Sequence, residues 1–146
     1  MMPTGEYSMN TNYDVSVVII NYNSKKYIDN LFESLIKLKH SDFTFQIVVV
    51  DNASTDDSIE YLESRHFDEH IPVKIVKSDV NRGFAGGNNF GVKYSDSEYI
   101  VFLNNDTAVD EMWLENLYHF IRDRKDCVMA NSKLLFFYDY IPFTFK

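Results

Sequence analysis

Two carboxylates in the sequence follow apolar runs and could contact a ligand. Asp51 comes directly after "IVVV", and Asp106 closes the run "EYIVFLNND". A carboxylate such as Asp51 can accept hydrogen bonds from a nucleobase imide or a ribose hydroxyl. It can equally accept them from backbone amides of the turn "DNASTDD" that it begins. Asp106, which two asparagines precede, offers part of the oxygen shell that a hard divalent ion prefers.

A glycine-rich stretch, "SDVNRGFAGGNNFGV" (78–92), holds four of the five glycines in the chain. It is neither the dinucleotide-binding G-x-G-x-x-G pattern nor a P-loop, because the spacing is G-x-x-G-G and no G-K-[ST] follows. Backbone amides at the start of a helix, together with Arg82, suit a phosphate-bearing ligand. Alternatively, the glycines allow tight packing of a helix on a sheet, and Arg82 forms a surface ion pair.

The elements that must position these residues alternate between strands and helices. Apolar runs predict strands over 15–20, 45–51, 73–78 and 98–106, and one or two more within 127–140. Helices are predicted over 24–39, 54–67, 84–94 and 110–123. This order predicts an α/β fold with a mostly parallel sheet and helices on both faces. Ligands of such sheets bind beyond the carboxyl ends of the strands, where the polar residues lie.

Apolar residues recur at helical spacing in the first and last of the predicted helices. The first helix, with Ser24 as its N-cap, carries a stripe of Ile28, Leu31, Phe32 and Leu35. The last helix carries a predicted stripe of Trp113, Leu117, Phe120 and Ile121.

Composition excludes several classes of protein. The net charge of −8 and the pI near 4.8 argue against nucleic-acid binding, which needs a basic surface. The single Cys127 excludes an internal disulfide and a cysteine-rich zinc site. No signal peptide or membrane-spanning run is visible, so the sequence predicts a cytoplasmic protein, or one peripheral at the inner face of the membrane.

Four motifs in register resemble family 2 glycosyltransferases with the GT-A fold, especially the rhamnosyltransferase-like branch. They are "VSVVIINYNS", "IVVVDNASTDDS", "NRGFAGGNNFGV" and "YIVFLNNDT". The resemblance covers residues 14–135, which we interpret as a nucleotide-sugar-binding domain. Residues 1–13 are predicted to be a flexible tail and residues 136–146 an aromatic tail.

The resemblance implies a role for each motif. Asn21 and Asn23 would line the nucleotide pocket, and Asp51 would read the base. The loop of Asn81, Arg82 and Gly83 would face the nucleotide and its diphosphate.

The fourth motif would hold the metal. Asn105 would join the nucleotide site, and Asp106 would be the last position of the family's Asp-x-Asp motif and bind Mg²⁺ or Mn²⁺. The first position of that motif is Asn104 here, which lowers the ligand charge.

The implied reaction is transfer of a glycosyl group, with inversion, from a UDP- or dTDP-sugar to a glycan or lipid-linked glycan acceptor. Family members supply acceptor contacts and a catalytic base from a second half. This chain stops about where that half begins, and Asp139 is the only carboxylate after Lys133. The alternative is a non-catalytic module that binds nucleotide, or a partner chain through the aromatic tail.

Overall fold

Four apolar segments form a parallel sheet, as predicted. The computed structural model describes residues 11–67 and 70–134. Its strands are β1 (Tyr13–Asn21), β2 (Phe45–Asp51), β3 (Val73–Lys77) and β4 (Ser97–Asn104). Its helices are α1 (Lys25–Leu35), α2 (Ser58–Ser64), α3 (Gly83–Val92) and α4 (Trp113–Arg122). The strand order is β3-β2-β1-β4 with every neighbouring pair parallel, so the predicted fold class is confirmed.

The two central strands are apolar because both faces of the sheet are covered. Every residue of β2 is buried, and β1 is buried along most of its length. On one face, the core of the domain includes Leu31 of α1, Leu62 of α2 and Leu114 of α4. On the other face, α3 packs over a smaller cluster that includes Val18 and Val50. Helices therefore lie on both faces, as predicted.

Helix α1 buries the predicted stripe, and Ser24 occupies its N-cap position, although its hydroxyl bonds to the Tyr22 carbonyl. The predicted stripe of α4 was wrong. Leu114 and Tyr118 are the buried residues of this helix, and Phe120 is 46% exposed. The other three predicted residues line an apolar groove beside residues 128–132 and are only partly buried: Trp113, Leu117 and Ile121. Leu114 and Tyr118 lie beside these residues on the same broad apolar face of the helix, and helical spacing alone does not indicate which part of that face is buried.

The remaining differences concern boundaries. Helix α2 begins at Ser58 rather than residue 54, because residues 54–56 bond to side chains at the strand ends. Residues 127–134 form no strand, and the rest of the predicted 127–140 strand region lies outside the described residues. So do most of the predicted N-terminal tail and all of the aromatic tail. No helix within 11–67 and 70–134 is long and apolar enough to cross a membrane.

Helix α3 lies unusually close to the sheet, and its glycines permit this. A Cβ atom at Gly91 would lie 2.5 Å from Val18 Cγ1 and 2.9 Å from Val50 Cγ2. Both valines are fully buried, so neither can move away easily. Tight helix–sheet packing, one of the two interpretations of the glycine-rich stretch, therefore explains Gly91.

We predict that Gly91→Ala lowers the free energy of unfolding by about 1–3 kcal/mol, because the added methyl group overpacks the valine contact. The loss should appear in urea unfolding even though alanine has the higher helix propensity. Asn89→Ala, at an exposed position of the same helix, is the control and should be neutral or stabilising. A Gly91→Ala variant as stable as the control would contradict the close approach of α3.

Candidate functional site

A polar pocket of about 380 Å³ lies at the carboxyl ends of the strands. Because β1 pairs with β2 on one side and β4 on the other, the strand order reverses here, which is where parallel α/β sheets bind ligands. The polar side chains of its lining include four amides and one carboxylate: Asn52, Asn81, Asn104, Asn105 and Asp106. Two exposed aromatic rings, those of Tyr22 and Phe84, also line the pocket.

The structure brings half of the predicted site residues into this pocket. Four of them are part of its lining: Asn81, Gly83, Asn105 and Asp106. The other four lie around the pocket without lining it: Asn21, Asn23, Asp51 and Arg82.

Asp51 is engaged in the turn that follows β2. Its side chain is 4% exposed and accepts hydrogen bonds from Asn21 Nδ2 (3.1 Å) and from the backbone amide of Ser54 (3.2 Å). This is the alternative that the sequence left open, in which the carboxylate holds its own turn. A base could reach Asp51 only if this turn opened.

Asn21 and Asn23 join the loop after β1 to the loop after β2. Asn21 is 1% exposed, and its Nδ2 also contacts the hydroxyls of Ser54 and Ser58, while its Oδ1 has no hydrogen-bond partner among the described residues. Asn23 Oδ1 accepts from the Thr55 amide at 2.7 Å. Beside them, a hydrogen bond from Lys25 holds the pKa of Asp57, the N-cap of α2, below its usual value.

Asn52 is a site residue that sequence reasoning missed. It is 2% exposed, and its side chain bonds to three consecutive residues of the loop before α3. Side chains alternate between the two faces of a strand. Asp51 therefore lies on the same face as Val49, and Asn52 lies on the same face as Val50. Helix α3 covers the face of Val50 and Asn52. That alternation is the signal that could have identified Asn52.

Arg82 packs along α3. Its guanidinium carbon lies 4.5 Å from the centre of the Phe90 ring, and its Nε donates to Ser78 Oγ at 2.9 Å. Its backbone amide donates to Asn52 Oδ1. Within the described residues, therefore, the pocket lining contains no cationic side chain.

Three residues at this end of the sheet have left-handed backbone conformations. Asn23 (φ 48°), Ala53 (φ 64°) and Gly83 (φ 66°) are the positive-φ residues of the described chain. They follow β1, β2 and β3 respectively, so each of these turns contains one residue in a conformation that L-amino acids disfavour.

The metal site predicted at Asp106 can be tested against the donor atoms present. Asp106 is exposed, and it lines the pocket together with Asn104 and Asn105. No group of three His, Cys, Asp or Glu side chains that could hold a metal occurs in residues 11–67 and 70–134. One carboxylate fits an ion of the Mg²⁺ type, which keeps several waters and takes phosphate oxygens of a substrate.

Comparison with known proteins agrees with this architecture. The sequence profile of glycosyl transferase family 2 matches residues 16–134. The chain is 30% identical over 115 residues to the poly(ribitol-phosphate) beta-N-acetylglucosaminyltransferase TarS of Staphylococcus aureus, covering 78% of this chain and 20% of TarS. It is 30% identical over 127 residues to the minor teichoic acid biosynthesis protein GgaB of Bacillus subtilis, covering 86% of this chain and 14% of GgaB. The chain thus spans a fifth or less of the length of these two relatives.

Solved structures show the same fold. The structure of S. aureus TarS 1–349 in complex with UDP superimposes with a TM-score of 0.66 at 30% identity, covering 75% of this chain and 32% of that one. A mannosyltransferase from Pyrobaculum calidifontis, solved with GDP-Man and Mn²⁺, gives a TM-score of 0.62 at 20% identity, which supports the fold alone. The family match, the identity to TarS and the shared GT-A fold lead to one conclusion: the chain belongs to glycosyl transferase family 2.

Proposed function

We propose that this chain is the donor-binding part of a glycosyltransferase and that its polar pocket binds a nucleoside diphosphate sugar. The observation that carries the proposal is the position and lining of the pocket. It lies where the strand order reverses, and four residues to which the resemblance gives nucleotide or metal roles line it together: Asn81, Gly83, Asn105 and Asp106.

The proposed reaction is attack by an acceptor hydroxyl oxygen on the anomeric carbon of the sugar, with inversion. The bond between that carbon and the diphosphate oxygen breaks, and the nucleoside diphosphate leaves with the bonding electrons. The acceptor proton passes to a base. We assign no residue of this chain to that role. TarS structures with UDP and UDP-GlcNAc support a pyrimidine donor, a UDP- or dTDP-sugar.

Two aromatic rings suit the cyclic parts of such a donor. Phe84, in the first turn of α3, is 66% exposed, and Tyr22 is also exposed. Both line the polar pocket. An exposed ring beside polar groups can stack on a nucleobase or pack against a sugar ring, and this contact offsets part of the cost of ordering the ligand.

The diphosphate would lie near the start of α3 and near Asp106. Peptide dipoles at a helix N-terminus favour an anion there, whereas the Asp106 carboxylate repels one. We propose that Asp106, with the side-chain oxygens of Asn104 and Asn105, holds Mg²⁺ or Mn²⁺. When bound, the ion would neutralise the diphosphate and stabilise it as a leaving group.

The predicted residues that lie outside the pocket have indirect parts in this proposal. Asn21 and Asn23 would support the pocket by joining the loops after β1 and β2. Base recognition by Asp51 stays a prediction that requires its turn to open. Arg82 is exposed, so its side chain could rotate from Phe90 toward a bound diphosphate.

For the acceptor we propose a glycan or lipid-linked glycan used in cell-envelope polysaccharide assembly. The names of the relatives, which refer to poly(ribitol-phosphate) and teichoic acid, support this class. Action at the inner face of the membrane stays a prediction.

A second candidate is a non-catalytic binding module. It is favoured by the apolar groove of about 360 Å³ between β4, α4 and residues 128–132, whose lining includes the exposed Val128 and Met129. Such a groove suits a partner chain. The predicted contact through residues 136–146 lies outside the described residues. Binding of UDP-sugar without release of UDP when acceptor glycans are added would favour this candidate.

We predict that Asp106→Asn lowers the affinity for UDP in the presence of Mn²⁺ by about tenfold or more, because charge-assisted contacts are lost. The dependence of UDP affinity on Mn²⁺ should disappear in the same calorimetric titration. Asp110→Asn is the matched control: it removes the same charge four residues away, outside the pocket, and its side-chain oxygen can still accept from the Met112 amide. Equal affinity and equal Mn²⁺ dependence in the two variants would remove Asp106 from the metal site.

We also predict that Phe84→Ala lowers the affinity for UDP-sugar by about tenfold, through loss of ring contact. Phe120→Ala removes an exposed ring of the same kind outside the pocket and should leave the affinity unchanged. Because both rings are exposed, neither change should unfold the protein, which circular dichroism can check. If both variants bind like the unaltered chain, Phe84 does not touch the donor.

A further inference from the structure

The side-chain amide of Asn52 donates both of its hydrogens to residues at, and just before, the start of α3. Its Nδ2 donates to Asn81 Oδ1 (3.1 Å) and to the Gly83 carbonyl (3.3 Å). Its Oδ1 accepts from the Arg82 amide (2.9 Å). Three consecutive loop residues are therefore held by one amide group, which has two hydrogens to donate and uses both.

The orientation of this amide is determined by its partners. The carbonyl of Gly83 accepts only, and the backbone amide of Arg82 donates only, so a flipped Asn52 would face each with the wrong group. Asn81 Oδ1 also accepts from the Gly83 amide at 2.8 Å, which closes the network within the loop.

Contacts with β1 and with α3 hold Asn52 in place. Its backbone amide donates to the Asn21 carbonyl at 2.8 Å, which extends the pairing of β1 and β2 by one bond. Above it, the backbone of α3 comes so close that a Cβ atom at Gly87 would lie 3.4 Å from Asn52 Nδ2. The Asn52 side chain, which bonds to the loop, is therefore attached to backbone that the sheet holds in place.

We propose that Asn52 is the positioning residue of the donor pocket: it sets the conformation of residues 81–83 and thereby the wall formed by Asn81, Gly83 and Phe84. This inference deepens the proposed function and rests on it for the identity of the ligand. Gly83 has a left-handed conformation (φ 66°), and both its amide and its carbonyl bond to this network, so the network holds it in a conformation that favours glycine.

Two variants test the hydrogen bonds of the Asn52 side chain separately. Asn52→Ala removes the acceptor for the Arg82 amide, so hydrogen exchange of that amide should become about tenfold faster or more. Asn52→Asp has nearly the same shape and keeps this acceptor, so the Arg82 amide should stay protected. In the aspartate variant, the oxygen that replaces Nδ2 faces two acceptors, Asn81 Oδ1 and the Gly83 carbonyl. The Asn81 side chain must therefore turn away and release the Gly83 amide. Exchange of the Gly83 amide should therefore become faster in the aspartate variant.

Calorimetric titration with UDP and Mn²⁺ gives the second readout. Both variants should bind UDP about tenfold more weakly than the unaltered chain. The control is Gln46→Glu, a change from amide to carboxylate at a buried residue near the amino end of β2, which contacts Ser16 and lies far from the loop along the strand. It should change neither the exchange of residues 82 and 83 nor the affinity for UDP.

Unchanged exchange at Arg82 in Asn52→Ala would overturn the proposal. Weaker UDP binding with unchanged loop exchange would also overturn it, because Asn52 would then act by direct contact. If the unaltered chain binds no UDP, the proposed function fails and the donor role of Asn52 fails with it. The exchange rates would still decide whether Asn52 holds the loop, so the two failures can be told apart.

Discussion

The pairing of β1 with two parallel neighbours is the interaction on which the site depends. Asn21 lies opposite Asp51 of β2, and Ile20 lies opposite Asn104 of β4. A shift of one residue in either pairing would move every side chain of a strand to the opposite face of the sheet. Because β1 and β2 are apolar on both faces, burial alone does not select the register; the polar pairs Ser16–Gln46 and Asn21–Asp51, whose side chains bond across the two strands, favour the one observed. The register, in turn, brings the polar ends of the strands to one level, where they enclose a pocket.

The two-residue period of a strand gives neighbouring polar residues different roles. Asp51 lies on the face covered by α1 and α2, where the turn before α2 engages its carboxylate. Asn52 lies on the face covered by α3, where it reaches the glycine-rich loop. Gly87 and Gly91 allow α3 to approach closely enough for that contact. Tight packing of α3 thus brings the glycine-rich loop within reach of Asn52, so the two interpretations that the sequence presents as alternatives for the glycines are compatible in the fold.

Much of the architecture could be predicted because it follows from local patterns. Apolar runs predicted β1, β2 and β4, and an alternating pattern predicted β3. The stripe of α1 was correct because only one of its faces is apolar. The buried part of α4 was not predictable, because the apolar face of this helix is broad and packing against the sheet selects Leu114 and Tyr118 at one side of it. The turn contact of Asp51 with the Ser54 amide is local, and the sequence offered it as an alternative. The role of Asn52 depends on partners about thirty residues away, and spacing along the chain does not reveal such contacts.

The residues with left-handed backbone conformations follow β1, β2 and β3, so they all lie at one end of the sheet. Asn23 and Ala53 hold conformations that raise the energy of the folded state by about 1–2 kcal/mol each. The opposite end of the sheet has no such residue in the described chain; there Gln46 and Ser97 both bond to the hydroxyl of Ser16. The left-handed turns therefore lie at the end of the sheet that carries the polar pocket. Substitutions that relaxed these turns would change the wall of that pocket, whereas substitutions at the amino ends of the strands lie away from it.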